Sequence, residues 1–92
     1  MTKFCIYQVG FVIHAIGETE EQCKRDYLRE IGEEFDGSDN YYQCAWGDCV
    51  LIQCTDEVYN YVLENGGDIY KPQTLVYNYD TNVLELMTDE DN

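Results

Sequence analysis

Residues 3–16, KFCIYQVGFVIHAI, carry the alternating pattern of extended backbone. Every second side chain is apolar, which is the period of a strand with one buried face, while the opposite face is mixed. Gly10 lies within this stretch and indicates either a bulge in one long strand or the turn of a hairpin. The sequence leaves both alternatives open. The predicted buried face consists of Cys5, Tyr7, Val9, Phe11, Ile13 and Ala15.

A helix is predicted to begin after Gly17, where the alternation stops. Thr19 followed three residues later by Gln22 is typical of a capping box. Acidic residues on either side of Thr19 lie where the positive end of a helix dipole favours them. Apolar residues then recur at helical spacing. The predicted buried stripe is Cys23, Tyr27, Leu28, Ile31 and Phe35.

The rest of the chain predicts a hairpin, a second helix and another hairpin. The first hairpin has YYQCAW and CVLIQC as strands, with Gly47 and Asp48 at its tip. Thr55 and Asp56 offer an N-cap for the second helix, which ends at residues 65–67. Its apolar stripe is predicted to be Val58, Tyr59, Val62 and Leu63. Residues 74–79 and 83–87 form the second hairpin around a turn at 80–82.

This order predicts an α+β fold, with a mainly antiparallel sheet of about five strands and both helices on one face. The length of 92 residues predicts a single domain over residues 1–92, with a frayed acidic tail at 88–92. The sequence lacks an apolar run of the ~20 residues that span a membrane and a signal-peptide pattern at its beginning. We therefore expect a cytoplasmic protein, in the host cytoplasm if a phage encodes it.

Charge narrows the choice of partners. Five Lys and Arg against 19 Asp and Glu give a formal net charge of −14. This sign excludes direct binding to nucleic-acid phosphates and disfavours anionic membranes, but it suits a basic protein. The charge is also uneven, because residues 36–92 contain twelve acidic residues and a single basic one, Lys71.

On the second helix, the acidic residues form a pattern. Glu57 and Glu64 lie seven positions apart, about 10 Å along the axis and on the same side, with Tyr61 between them. Lys and Arg bind carboxylates and phosphates through the same contacts, so such a surface can imitate a nucleic-acid backbone. The alternative is an acidic surface that serves solubility alone. The predicted partner-binding residues are Asp36, Asp39, Asp48, Asp56, Glu57, Tyr61, Glu64 and Asp68, with Tyr41 and Trp46 as aromatic anchors; a core position is the alternative for Trp46.

Catalytic and metal chemistry find little support in the sequence. The five cysteines are odd in number and accompany no export signal, so we expect reduced thiols. Cys44, Cys49 and Cys54 lack the close spacing of zinc ligands, and His14 is the only histidine. We expect no catalytic residue, no metal and no cofactor, and predict that the protein is not an enzyme.

The small size, acidity and aromatic content resemble the small acidic proteins that phages use to inhibit host nucleic-acid enzymes, including anti-CRISPR and DNA-mimicking anti-restriction proteins. Residues 68–87 are also similar to a strand-turn-strand region of the phage uracil-DNA glycosylase inhibitor, chiefly through residues 70–72 and 75–76. The resemblance implies a non-catalytic anti-CRISPR protein whose acidic surface blocks the DNA- or crRNA-binding face of a CRISPR effector. The alternatives are an inhibitor of another such enzyme (uracil-DNA glycosylase, restriction enzyme or nuclease) and a reduced-thiol domain that binds a small ligand or a metal.

Overall fold

The computed structural model describes residues 3–8, 11–35, 41–44, 47–68, 73–78 and 80–88, with the backbone alone at 41–44, 73–74 and 88. Residues 3–8 and 12–17 pair as the two strands of a hairpin rather than forming one long strand, and the predictions for Val9 and Gly10 lie outside the described residues. The order of elements otherwise follows the predicted α+β order. The elements are β1 (Lys3–Gln8), β2 (Val12–Gly17), α1 (Glu20–Ile31), β3 (Tyr41–Cys44), β4 (Gly47–Cys54), α2 (Asp56–Asn65), β5 (Gln73–Asn78) and β6 (Val83–Thr88).

All the strands belong to one mixed sheet. Its strand order is β2-β1-β4-β6-β5, and β3 pairs with the first half of β4. Every pairing is antiparallel except that of β4 with β6, which aligns Gln53 with Val83 and Cys54 with Leu84. The prediction of a mainly antiparallel sheet is therefore confirmed, and β2 and β5 lie at the two ends of this strand order.

The hairpin formed by β1 and β2 contains a bulge at His14. Ile6 pairs with Ala15, but the next residue, Tyr7, pairs with Ile13, so His14 is an extra residue in β2. The prediction of one buried face does not hold across this hairpin. Ile6, on the face predicted to be mixed, is fully buried, whereas Phe11 is 72% exposed.

The two helices pack on opposite faces of the sheet rather than on one. Cys5 and Ile6 are adjacent in β1 and both are fully buried, so both faces of the sheet are covered. Ile6 belongs to the cluster that contains Cys23 and Tyr27 of α1, and Cys5 belongs to the cluster that contains Val58 of α2. Because the central strands are apolar on both sides, each face needs a helix of its own.

Local signals fix the ends of α1. The Thr19 side chain accepts a hydrogen bond from the Gln22 backbone N–H at 3.1 Å, and the Gln22 side chain accepts one from Glu18 N–H at 3.1 Å. Gly32 ends the helix in the left-handed conformation. Cys23, Tyr27 and Phe35 are buried as predicted, but Leu28 is 43% exposed. At 100° per residue, Leu28 lies about 100° from the middle of the buried stripe, which explains its exposure.

The prediction is wrong for the tip of the β3–β4 hairpin and is confirmed for the turn of the β5–β6 hairpin. Cys44 pairs with Gly47, so Gly47 and Asp48 belong to β4 and do not form the hairpin tip. The turn between β5 and β6 is confirmed: the Asn78 side chain accepts hydrogen bonds from the backbone N–H groups of Asp80 and Thr81. Thr88, the first residue of the predicted frayed tail, is the last residue of β6, and residues 89–92 lie outside the described residues. In the described part of the chain, no helix has the length and apolar character needed to cross a membrane.

Candidate interaction surface

Helix α2 presents one face to the sheet and the other to solvent. Thr55 caps its beginning by accepting a hydrogen bond from Val58 N–H at 3.3 Å, and Gly66 N–H donates to the Val62 carbonyl at 2.9 Å at its end. Val58 is fully buried, and Tyr59 and Val62 pack against the same cluster. The helix is thus held by its apolar side and its caps, which leaves its polar side available for other contacts.

The polar side of α2 carries a row of carboxylates, which we call the α2 acidic stripe and define as Asp56, Glu57 and Glu64. All three are exposed, and Tyr61 lies half-buried beside them. Within the described residues, none of the three forms an ion pair with a Lys or Arg. Glu64 lies in the last turn, where α2 contains no basic residue. Because the helix dipole is negative at that end, the position of Glu64 is electrostatically unfavourable.

Three acidic residues in or just before α1 have basic partners instead: Glu18, Asp26 and Glu30. Arg29 forms ion pairs with Asp26 and with Glu30, the latter at 3.6 Å. Lys3 approaches Glu18 at 3.8 Å, and its ammonium group also lies 5.0 Å from the centre of the Tyr59 ring. These three carboxylates are therefore locally compensated, in contrast to those of the α2 acidic stripe.

The segment after α2 is fastened to the edge strand β2. Ile13 N–H donates a hydrogen bond to the Gly67 carbonyl at 3.1 Å. A Cβ atom at Gly67 would overlap the Ile13 carbonyl oxygen, so the close approach requires glycine. Asp68 follows, is exposed, and raises the pKa of His14 by its charge, although burial has the larger effect and lowers that pKa.

Of the remaining predicted partner-binding residues, the structure describes Asp48 and the backbone of Tyr41 but not the others. Asp48 is exposed near the beginning of β4, opposite Gln43. Since the next residue, Cys49, faces α1, Asp48 lies on the sheet face that α2 covers. It is nevertheless about 20 Å along the strand from the point where α2 begins. Tyr41 lies in β3 opposite Val50. The predictions for Asp36, Asp39 and Trp46, and for the side chain of Tyr41, lie outside the described residues.

A groove between the two helices was not predicted from the sequence. It has a volume of about 690 Å³ and passes over the outer edge of β2. Leu63 lines it and is 63% exposed, although the helical pattern predicted that it would be buried. Leu63 lies about 90° from the middle of the stripe formed by Val58, Tyr59 and Val62, and this marginal position is the only sequence signal of its exposure.

Four of the five thiols lie in the core, and the side chain of Cys44 lies outside the described residues. Cys5, Cys23, Cys49 and Cys54 are buried and form no disulfide. The pKa of the Cys5 thiol is raised mainly by two effects, of which a hydrogen bond with Cys54 is the larger and burial the smaller. Burial also raises the pKa of the Cys23 thiol. Within the described residues, no group of three or more Cys, His, Asp or Glu side chains has an arrangement that could hold a metal ion.

The fold and surface together define a small α+β protein, with a mixed sheet between two helices of which one is acidic. Comparison with protein-family models, with curated proteins and with solved structures finds no match to this chain.

Proposed function

We propose that this protein is a non-catalytic inhibitor of a nucleic-acid enzyme, and specifically an anti-CRISPR protein. Its acidic surface imitates a nucleic-acid backbone and occupies the DNA- or crRNA-binding face of a CRISPR effector complex. The observation that carries the proposal is the α2 acidic stripe, whose exposed carboxylates form no ion pair in the described part of the chain.

The position of Glu64 supports a role for the stripe outside folding. Carboxylates that repel one another, and one at the negative end of a helix, reduce the stability of the folded state. The spacing of about 10 Å between Glu57 and Glu64 lets separate Lys or Arg side chains of a partner bind each of them. These side chains bind carboxylates and phosphates alike, so a groove built for nucleic acid can accept the stripe.

A thiol-based ligand or metal site is less well supported. Metal binding and nucleophilic attack both use the thiolate form of cysteine. Burial raises the pKa of Cys23, and the Cys54 hydrogen bond and burial raise that of Cys5, so both remain thiols at neutral pH. An inhibitor of another DNA or RNA enzyme would use the same stripe and is distinguished from the anti-CRISPR proposal only by its target.

The proposal is tested with a panel of purified nucleic-acid enzymes. CRISPR effector complexes are assayed for target cleavage with increasing amounts of this protein, beside uracil-DNA glycosylase, restriction endonucleases and other nucleases. We expect inhibition of a CRISPR effector, and weaker inhibition when the target DNA is bound first, because the protein and the nucleic acid compete for one surface. Inhibition confined to another enzyme of the panel would refute the anti-CRISPR assignment, and simultaneous binding of DNA and protein with unchanged affinities would refute competitive mimicry.

Charge reversal in the stripe tests which surface is responsible. The double variant Glu57→Lys/Glu64→Lys should weaken binding to the inhibited enzyme by more than about tenfold, equivalent to about 1.4 kcal/mol. The control is Glu21→Lys, because Glu21 is exposed and holds the same second helical position in α1 that Glu57 holds in α2. Equal losses for the control and the double variant, measured by calorimetry, would contradict a localised surface.

A further inference from the structure

The groove between α1 and α2 has two chemically different walls. The wall formed by β2 and α2 is largely apolar, and the wall formed by α1 is polar and charged. Leu63 stands at the open side of the apolar wall, next in sequence to Glu64 of the α2 acidic stripe. The apolar side chains of the first wall are Ile16, Tyr59, Val62 and Leu63; His14 also lines this wall, and Ile13 is only 2% exposed. The α1 wall comprises Gln22, Arg25, Asp26, Arg29 and Glu30.

The edge of β2 does not favour the addition of a partner strand. The outward N–H of Ile13 donates to the Gly67 carbonyl, and that of Ile16 donates to the Asp26 carboxylate at 3.2 Å. Since strand addition requires free backbone groups along the edge, these bonds oppose it. What the groove offers is space against apolar side chains.

The charged wall carries no formal net charge, because Arg25 and Arg29 balance Asp26 and Glu30. The exposed charge next to Leu63 on α2 comes from the α2 acidic stripe, because Glu64 follows Leu63 and Asp56 lies about two turns before it on the same side of the helix. A ligand attracted to this region therefore carries positive charge, and the groove can bury an apolar side chain next to that charge. Large apolar side chains inserted into pockets at the centre of an interface contribute most to slow dissociation.

We propose that the groove receives an apolar side chain from a basic segment of the partner protein, whose neighbouring Lys or Arg side chains bind the α2 acidic stripe. Leu63 is the anchor of this contact. The inference rests on the proposed function, since it assumes a basic protein partner, and it adds what the acidic stripe cannot supply: selection among basic surfaces by a neighbouring apolar residue.

The test uses a pair of short synthetic peptides of equal positive charge. One carries a leucine flanked by lysines and arginines, and the other carries serine in place of that leucine. Each is titrated into the isotope-labelled protein at about 0.15 M salt and followed by amide chemical shifts. We expect the leucine peptide to bind at least about fivefold more tightly, equivalent to about 1 kcal/mol, and to shift the signals of residues lining the groove.

Two matched variants complete the test. Leu63→Ser should abolish the preference for the leucine peptide, whereas Leu28→Ser should leave it unchanged, because Leu28 is an exposed leucine on α1 that does not line the groove. The amide spectrum of each free variant establishes that it is folded. Equal affinity of the two peptides for the unmodified protein, or an unchanged preference in Leu63→Ser, would overturn the inference.

The same titration separates the inference from the proposed function. If Glu57→Lys/Glu64→Lys weakens both peptides equally and neither is preferred, the groove has no role but the acidic stripe still binds cations. If the double variant leaves both affinities unchanged, the stripe is not the cation-binding surface. In that case the proposed function loses the observation that carries it, and the inference falls with it.

Discussion

Gly67 lies where the segment after α2 contacts the edge strand β2. Replacement of Gly67 by alanine tests how this contact supports the fold. The new methyl group would overlap the Ile13 carbonyl oxygen and would come within 3.4 Å of Val12 Cγ2. Neither the backbone oxygen nor the strand that carries it can move without disturbing the β1–β2 hairpin. The segment containing Gly67 must therefore move away from β2.

The expected cost follows from what this movement breaks. Loss of the Ile13–Gly67 hydrogen bond removes about 1 kcal/mol, and residual overpacking adds about 1–2 kcal/mol. We therefore expect Gly67→Ala to lower the free energy of unfolding by about 2–3 kcal/mol. In a domain of this size, that corresponds to a fall in melting temperature of roughly 10–20 °C.

Urea denaturation followed by circular dichroism measures the loss, and hydrogen exchange at the Ile13 amide reports on the broken bond. The control is Gly32→Ala. Gly32 has a φ of 89°, but a Cβ there would have no atom within 4 Å, so only backbone strain of about 1 kcal/mol is expected. A smaller loss for Gly67→Ala than for Gly32→Ala, with the Ile13 amide still protected, would refute the steric argument.

Two further predictions concern buried groups. Cys23→Ser should lower the free energy of unfolding by about 1–2 kcal/mol, because a hydroxyl replaces a thiol at a fully buried position; a urea midpoint equal to that of the unmodified protein would contradict this. Burial lowers the pKa of His14 below its ordinary value of about 6.5, so the unfolded chain takes up the proton first. The stability contributed by neutral His14 is therefore complete above pH of about 6.5 and is lost as pH falls through the lower folded pKa. His14→Asn should reduce the loss of stability in this range, and parallel pH profiles of the two proteins would show that His14 plays no part.

Features encoded by short-range hydrogen bonds could be predicted from the sequence. The capping bond of Thr19 with Gln22 and the turn at Asn78 each join residues only two or three positions apart. Such bonds form wherever those residue types occur at that spacing before a helix or between strands. The same applies to the apolar stripe of α2 at Val58 and Val62, and it accounts for the correct order of the elements.

Features that depend on contacts distant in sequence could not be predicted. Apolar residues at both Cys5 and Ile6 show that β1 is buried on both sides, but the pattern does not say which helix covers which face. Gly66 and Gly67 are neighbours of the same type, yet Gly66 has a φ of 88° and Gly67 is needed for its approach to Ile13. That distinction exists only once the segment lies against β2.

The candidate surface was predictable to the extent that it lies on one helix. The carboxylates of α2 follow from charge and periodicity, because Glu57 and Glu64 repeat at seven positions. The groove could not be found in this way, since its walls come from β2, α1 and α2 and meet only in the folded chain. Helical spacing alone therefore predicts Leu63 to be a core residue, whereas it is 63% exposed.

Glu64 allows the contribution of the acidic stripe to folding to be separated from its contribution to binding. It lies in the last turn of α2, at the negative end of the helix dipole, and that turn contains no basic residue. Removing its charge without changing its size, as in Glu64→Gln, should therefore raise the free energy of unfolding by about 0.3–1 kcal/mol. The same variant should weaken binding to the inhibited enzyme, because one cation-binding carboxylate is lost. Thermal denaturation at low salt measures the first effect and calorimetry the second. Lower stability in Glu64→Gln would mean that the folded protein itself needs this carboxylate, and the argument for a surface kept for a partner would fail.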